Sequence, residues 1–294
     1  MPHPLISRLG IGTAQFSLDG GASGRGRPAE AEVRDMLSIA ARSGLAVLDA
    51  GAASGHTEAV LGGLIPRPSP LRIVIKAPRG DRGPDHAEAE ARAALARLGV
   101  TGADAIIVQC AGDLFAPWGQ AYWERLLALR DAGLFRKVGV SAYASDDPVG
   151  LARRFRPDIL QAPASLLDQR LLVDGSLESV KGLGVEVQLR SIFLNGLLFL
   201  PPDRVPSQYQ GAAARLSRAR RMIAEGRSDP LQAALGFALS RPEADVVIVG
   251  AATAAELQAV IAAAASPPPD LDWDEMALED ASVVDPWPAS ASAA

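Results

Sequence analysis

Eight short runs rich in β-branched residues recur along the chain, each followed by a longer stretch of helical period, and this alternation is the strongest restriction on its fold. The runs are RLGIGTA (8–14), LAVLDA (45–50), LRIVIKA (71–77), ADAIIVQ (103–109), KVGVSAY (137–143), DILQA (158–162), VEVQLRS (185–191) and ADVVIVG (244–250). Between them lie AEAEVRDMLSIAARSG, DHAEAEARAALARLG, YWERLLALRDAG and DPLQAALGFALS, which are amphipathic or Ala-rich and close on Gly or Pro. The strand runs are almost continuously apolar, as parallel strands covered on both faces must be. Eight such units predict an α/β fold of the (β/α)8 TIM-barrel kind, with a doubly wound sheet carrying extra strands as the alternative.

A chain of 294 residues with 48% apolar content can bury the core of such a barrel as one domain spanning 1–294. The Pro-rich SPPPDLDW and the small-residue end, about 287–294, read as a connector and a flexible tail. A net charge of -5 and a pI near 5.3 leave no basic patch for nucleic acid or an anionic membrane, and Arg is scattered. No apolar run approaches the roughly 20 residues of a membrane helix. The start MPHPLISRLG lacks the features of a signal peptide, and a lone Cys110 forms no internal disulfide. The expectation is a cytoplasmic protein with a small-molecule partner and no metal.

In a barrel, chemistry collects at the C-terminal ends of the strands. Polar residues stand there: Asp49, Lys76, Gln109, Ser141, Gln161, Arg190 and Ser191. An acid and a lysine ending neighbouring strands can pair in the barrel mouth, and burial with a partner is what tunes a lysine for proton or carbonyl chemistry. For any single residue, polarity returning where a loop begins is the plainer explanation.

The ordered set LGIGTAQF, LDAGAASGHTEAVLG, IVIKA, DAIIVQ, GVSAY, QAPASLLDQR, LRSIFLNGLLF and VVIVGAATAAELQAVI resembles the aldo/keto reductases over nearly the whole chain. The resemblance implies a nicotinamide cofactor, NAD(P)H, lying extended across the C-terminal mouth; no GxGxxG follows a strand, in keeping with this. The family works with an aspartate, a tyrosine, a lysine and a histidine. Asp49 and Lys76 match the first and third, and Glu58 matches a glutamate that follows. The tyrosine position holds Ser54 and the histidine position Gln109.

That exchange changes the chemistry. A phenol titrates near pKa 10 and can be tuned to protonate a carbonyl, whereas a serine hydroxyl is far less acidic and much shorter. Gln109 can still hydrogen-bond an oxyanion through its amide, without carrying charge. A replacement proton source could be His56, Tyr143, or a water held by Ser54 and Lys76, with solvation and packing as the plain roles of His56 and Tyr143. Cys110 reads as a small packed residue.

By resemblance, Thr13, Ser141, Gln161, Arg190, Ser191, Asn195 and Gly250 line the cofactor pocket. Ser141 and Gln161 would hold the carboxamide, Ser191, Phe193 and Asn195 would run along the pyrophosphate, and Arg190 replaces a stacking aromatic. Glu256 stands where a basic residue commonly grips the 2′-phosphate of NADPH, which favours NADH or weak binding, unless the acid merely faces solvent. The implied activity is reduction of a carbonyl or sugar-derived substrate with an altered proton-transfer site. Two other readings stay open: a non-redox carbonyl enzyme working through Lys76, and a catalytically silent nucleotide-binding barrel. Trp118, Tyr122 and Tyr209 would wall the substrate loops or simply pack.

Overall fold

The computed structural model describes residues 3–16, 27–50, 55–278 and 281–284. Ser54 and the tail at 287–294 lie outside these residues, as do the side chains of His56 and Asn195.

The eight expected runs form eight strands: β1 (Leu9–Gly12), β2 (Val47–Asp49), β3 (Arg72–Ala77), β4 (Ala103–Val108), β5 (Phe135–Ser141), β6 (Ile159–Pro163), β7 (Glu186–Arg190) and β8 (Val246–Gly250). All pair in parallel in sequence order, and β1 returns to β8 from Leu9↔Val247 to Gly12↔Gly250, closing the (β/α)8 barrel. Alternate residues point inward. Val47, Val74, Ala105, Ile107, Ile159, Val246 and Ile248 form the buried interior cluster. Glycine completes it where no side chain fits: a Cβ at Gly139 would stand 2.5 Å from Ile107 Cδ1 and 2.8 Å from the Ile159 carbonyl.

The outward residues of the strands face helices whose apolar stripes have the matching period. In Glu30–Ser43 the buried residues Val33, Met36, Leu37 and Ala40 lie on one face, and Gly44 ends the helix at φ 79°, its N–H bonding the carbonyls of Ala40 and Ala41. Helix Pro230–Ser240 starts with proline at its first turn and Asp229 capping the N–H groups of Leu231 and Gln232.

The region after β7 departs from simple alternation. Three 3-10 turns between Leu194 and Ala212 precede helix Ala213–Glu225, and with Met276, Leu278, Val283 and Val284 they build a second apolar cluster. The Pro-rich connector is therefore docked: Gln169 Nε2 donates to the Trp273 carbonyl at 2.6 Å, and the Trp273 ring meets Phe237 edge-on at 5.6 Å.

The seam between β1 and β8 is laced by charged side chains. Arg8 donates to the carbonyls of Leu239 (2.7 Å), Arg241 (3.0 Å) and Ala244 (2.5 Å), supplying the end of helix Pro230–Ser240 with donors. From the first helix, Glu32 accepts the Ala254 N–H at the start of helix Ala254–Ala264.

Candidate active site

Strand alternation carries Asp49, Lys76, Ser141, Gln161 and Arg190 to the C-terminal ends of five strands. Gln109 lies one residue beyond β4 and is exposed. Lys76 Nζ stands 2.9 Å from each Asp49 oxygen and bonds Oδ2, while Oδ1 has no hydrogen-bond partner among the described residues. Lys76 also donates to Gln161 Oε1, and Gln161 Nε2 donates to Asp49 Oδ2 at 3.2 Å. The three groups form a closed triangle under the mouth, with Lys76 9% and Asp49 6% exposed.

Burial pushes the Lys76 ammonium below its ordinary pKa of 10.5; Asp49 opposes this by charge and hydrogen bond, and the positive Arg190 adds to it. Lys76 is thus a buried cation held by one carboxylate and one amide, more ready to release a proton than a free lysine.

Thr13 lies behind this group. Its N–H and hydroxyl both donate to the Asp49 carbonyl at 3.1 Å, and it is fully buried. The residue expected to line the cofactor pocket therefore fixes the backbone of the acid. Gln161, expected to hold a carboxamide, is likewise fully buried, with its amide engaged by Lys76, Asp49 and Gln188. Glu58 ties helix Gly55–Leu64 to its neighbour by accepting from Arg97 Nε at 2.7 Å.

On the opposite side of the mouth, Arg190 donates through Nε to Ser141 Oγ (3.2 Å) and through Nη1 to Ser191 Oγ (3.4 Å). Its guanidinium lies 4.4 Å from the Tyr143 ring centroid, which gives Tyr143 a stacking role. Ser191 and Leu194 both adopt positive φ, 59° and 46°, so the turn leaving Arg190 is strained at non-glycine residues. Tyr122 is a core residue: it is fully buried and its hydroxyl donates to the Pro78 carbonyl at 2.7 Å. Trp118 and Tyr209 are half-buried against the two apolar clusters.

A polar column continues below the triangle. Gln161 Nε2 donates to Gln188 Oε1 at 2.9 Å, and Gln188 Nε2 donates to Glu186 Oε1 at 2.8 Å. Glu186 accepts from Lys137 and from Arg72 at 3.4 Å, and Arg72 reaches Asp104 at 3.4 Å. Mouth and base of the barrel are therefore joined by side-chain hydrogen bonds. The signal for this lay in two-residue spacing: Arg72 and Lys76 in RIVIKA, and Glu186, Gln188 and Arg190 in EVQLR, all share the inward parity.

The far side of Gly250 is acidic. Glu256 turns back to accept the Ala252 N–H at 2.8 Å while its own N–H bonds Thr253 Oγ1 at 3.1 Å, and Glu32 takes the Ala254 N–H. Two carboxylates thus occupy donors at the start of helix Ala254–Ala264.

A closed eight-stranded barrel with a buried Lys–Asp pair in its C-terminal mouth defines the class of barrel whose loops carry small-molecule chemistry. The model of the aldo/keto reductase family matches residues 8–278, and the chain belongs to that family. It is 27% identical over 128 residues to an aldo-keto reductase of Mycolicibacterium smegmatis, a match spanning 42% of this chain and only 44% of that relative's length. Among solved structures it resembles the holo form of aldo-keto reductase AKR11C1 from Bacillus halodurans, with TM-score 0.71, 19% identity, and coverage of 92% of this chain and 89% of that one. It also resembles the Pseudomonas aeruginosa protein PA4992, assigned to the aldo-keto reductases, with TM-score 0.66, 20% identity, and coverage of 88% and 90%. These structural likenesses speak for the fold.

Proposed function

We propose that this chain is a nicotinamide-dependent oxidoreductase that prefers NADH and reduces a small carbonyl or sugar-derived substrate, without the tyrosine acid usual in the family. Family and fold support the oxidoreductase class. The observation that carries the finer reading is the buried triangle of Lys76, Asp49 and Gln161 at the strand ends.

The donor set suits the nicotinamide end. Ser141 and the exposed face of Arg190 offer polar contacts for a carboxamide, and the strained turn at Ser191 leads away from them. The same test goes against a 2′-phosphate near helix Ala254–Ala264, because Glu256 and Glu32 already hold the N–H groups of Ala252 and Ala254 and would repel it. When bound, the cofactor supplies hydride. Asp49 and Gln161 orient Lys76, and Lys76 Nζ holds the proton that must reach the carbonyl oxygen, directly or through a water. Gln109, exposed at the rim, can donate its amide N–H to the developing oxyanion. His56 is the competing proton source, and Ser54 is the position whose exchange removed the phenol.

The test is a fluorescence titration with NADH and NADPH on the wild type and on Ser54→Tyr, followed by aldehyde reduction. Tighter binding of NADH in both proteins and a gain of reduction in Ser54→Tyr are expected. Failure of both nucleotides to bind the wild type would overturn the reading.

A further inference from the structure

The polar column below the mouth has a direction. The Lys76 ammonium can only donate hydrogen bonds, and the ionised Glu186 carboxylate can only accept them. Between them stand the amides of Gln161 and Gln188, each with one accepting and one donating end, and both side chains are fully buried. The chain closes in one sense alone: Lys76 donates to Gln161 Oε1, Gln161 Nε2 to Gln188 Oε1 at 2.9 Å, and Gln188 Nε2 to Glu186 Oε1 at 2.8 Å. Turning both amides over would set donor against donor at Lys76 and acceptor against acceptor at Glu186. Each amide therefore points its oxygen towards the cation and its NH2 towards the anion, and hydrogen bonds running head to tail in a dry interior strengthen one another. The charges acting on Lys76 are those of Asp49 on β2 and Arg190 on β7. Glu186 accepts from Lys137 on β5 and from Arg72 on β3, which also reaches Asp104 on β4. The cavities that Glu186 lines at the base are shared with Asp158, with Arg153 and Arg156, and with the Lys181–Asp245 pair.

We propose that Gln188 and Glu186 are positioning residues for the proton of Lys76: the ionised carboxylate at the base, acting through the two amides, holds Gln161 Oε1 against Lys76 and keeps Lys76 in its ammonium form. The proposal rests on the reading of Lys76 as the group that holds the proton for the carbonyl, and it extends that apparatus from the mouth to the floor of the barrel. Ser141, Arg190 and Ser191 are not members of the column, and its two amides are buried beneath the mouth. It therefore stands with a nicotinamide bound at those residues as well as without one.

The chain has three lysines, Lys76, Lys137 and Lys181, so protein labelled with 13C at the lysine Cε gives three NMR signals to follow through an alkaline titration, assigned with Lys137→Arg and Lys181→Arg. In Glu186→Gln and in Gln188→Met the Lys76 midpoint is expected to fall by about 0.5–1 pKa unit, roughly a three- to tenfold loss of proton affinity. The double variant should fall no further than either single one, because both residues act through one chain of bonds. Asp104→Asn neutralises another carboxylate at the base without touching either amide, and should leave the Lys76 midpoint in place. Lys137 bonds Glu186 directly and serves as an internal check: its midpoint should fall in Glu186→Gln and stay in Gln188→Met, where it also reports an intact base. Should Gln188→Met fail to fold, Glu186→Gln set against Asp104→Asn decides alone.

Equal shifts in Glu186→Gln and Asp104→Asn would reduce the effect to charge felt through space, and an unmoved Lys76 in Glu186→Gln would remove it. Either result overturns the proposal and leaves the reductase standing. Turnover of 4-nitrobenzaldehyde at saturating NADH separates the two readings. The alkaline limb of kcat should move to lower pH by the same increment in Glu186→Gln and Gln188→Met, with KM for NADH unchanged. A shifted Lys76 midpoint beside an unmoved limb would show that the proton comes from elsewhere, and overturns the positioning role together with Lys76 as proton holder. Shifted midpoints with no turnover in the wild type support the hold of the column on Lys76 and overturn the reductase.

Discussion

Lys76 carries its neighbours' roles as much as its own. Replacing it with methionine leaves Asp49 as a buried carboxylate without a cation, so Lys76→Met should cost about 3–5 kcal/mol in urea unfolding. The double variant Asp49→Asn/Lys76→Met should recover most of that loss, because no buried charge remains. The pH dependence has a definite sign. The folded pKa of Lys76 lies below 10.5, so between the two values the unfolded chain binds more protons and stability rises with pH. This contribution is complete above 10.5 and is lost as pH falls through the folded value. Lys76→Met should abolish the rise, which urea titrations at successive alkaline pH values would reveal. The pairing of Asp49 with Lys76 was legible in the sequence, since both close neighbouring apolar runs. The burial of Thr13 and Gln161 was not, because a polar residue at a strand end reads alike whether it faces the mouth or supports another side chain from behind.

The strands were legible almost to their ends, since a parallel barrel strand is apolar on both faces and its run stops where solvent begins. Glu186, Gln188 and Arg72 escaped notice for a related reason: inside an apolar run a polar residue reads as an interruption, and only its parity marks it as facing the axis. The turns after β7 were also hidden, because they gain order from Met276, Leu278 and Val283, more than sixty residues downstream. Small residues in the strands carry equal weight. A methyl group at Gly139 would press on Ile107 and on the Ile159 carbonyl, and a backbone oxygen cannot yield as a side chain does. Gly139→Ala should therefore destabilise by about 1–3 kcal/mol. Each kcal/mol lowers Tm by about 2–4 °C in a chain of this size, which scanning calorimetry would register.

At the scale of the whole barrel, the polar column makes the base and the mouth parts of one interior. Burial alone would raise the Glu186 carboxyl, but the bonds from Lys137 and Gln188 and the charge of Arg72 prevail and hold it below its ordinary 4.5. Its stabilising share is present above 4.5 and is lost as pH falls through the folded value. Glu186→Gln should be less stable at pH 7 by about 1–3 kcal/mol, with a flatter decline below pH 4.5 than the wild type in acid-series urea unfolding. The seam has a different bearing. Arg8 and Leu239 are 231 positions apart, and Glu32 and Ala254 are 222 apart. Each remaining strand pair joins neighbours in the chain, so contacts across the seam carry the greatest loop-closure entropy and form late on the way to the native state. Thr13, which follows β1 directly, braces the Asp49 carbonyl at the adjoining β1–β2 pair. On the proposed reductase function, refolding chains should recover turnover only when the cylinder shuts, so the kinetics of regained turnover would time its final closure.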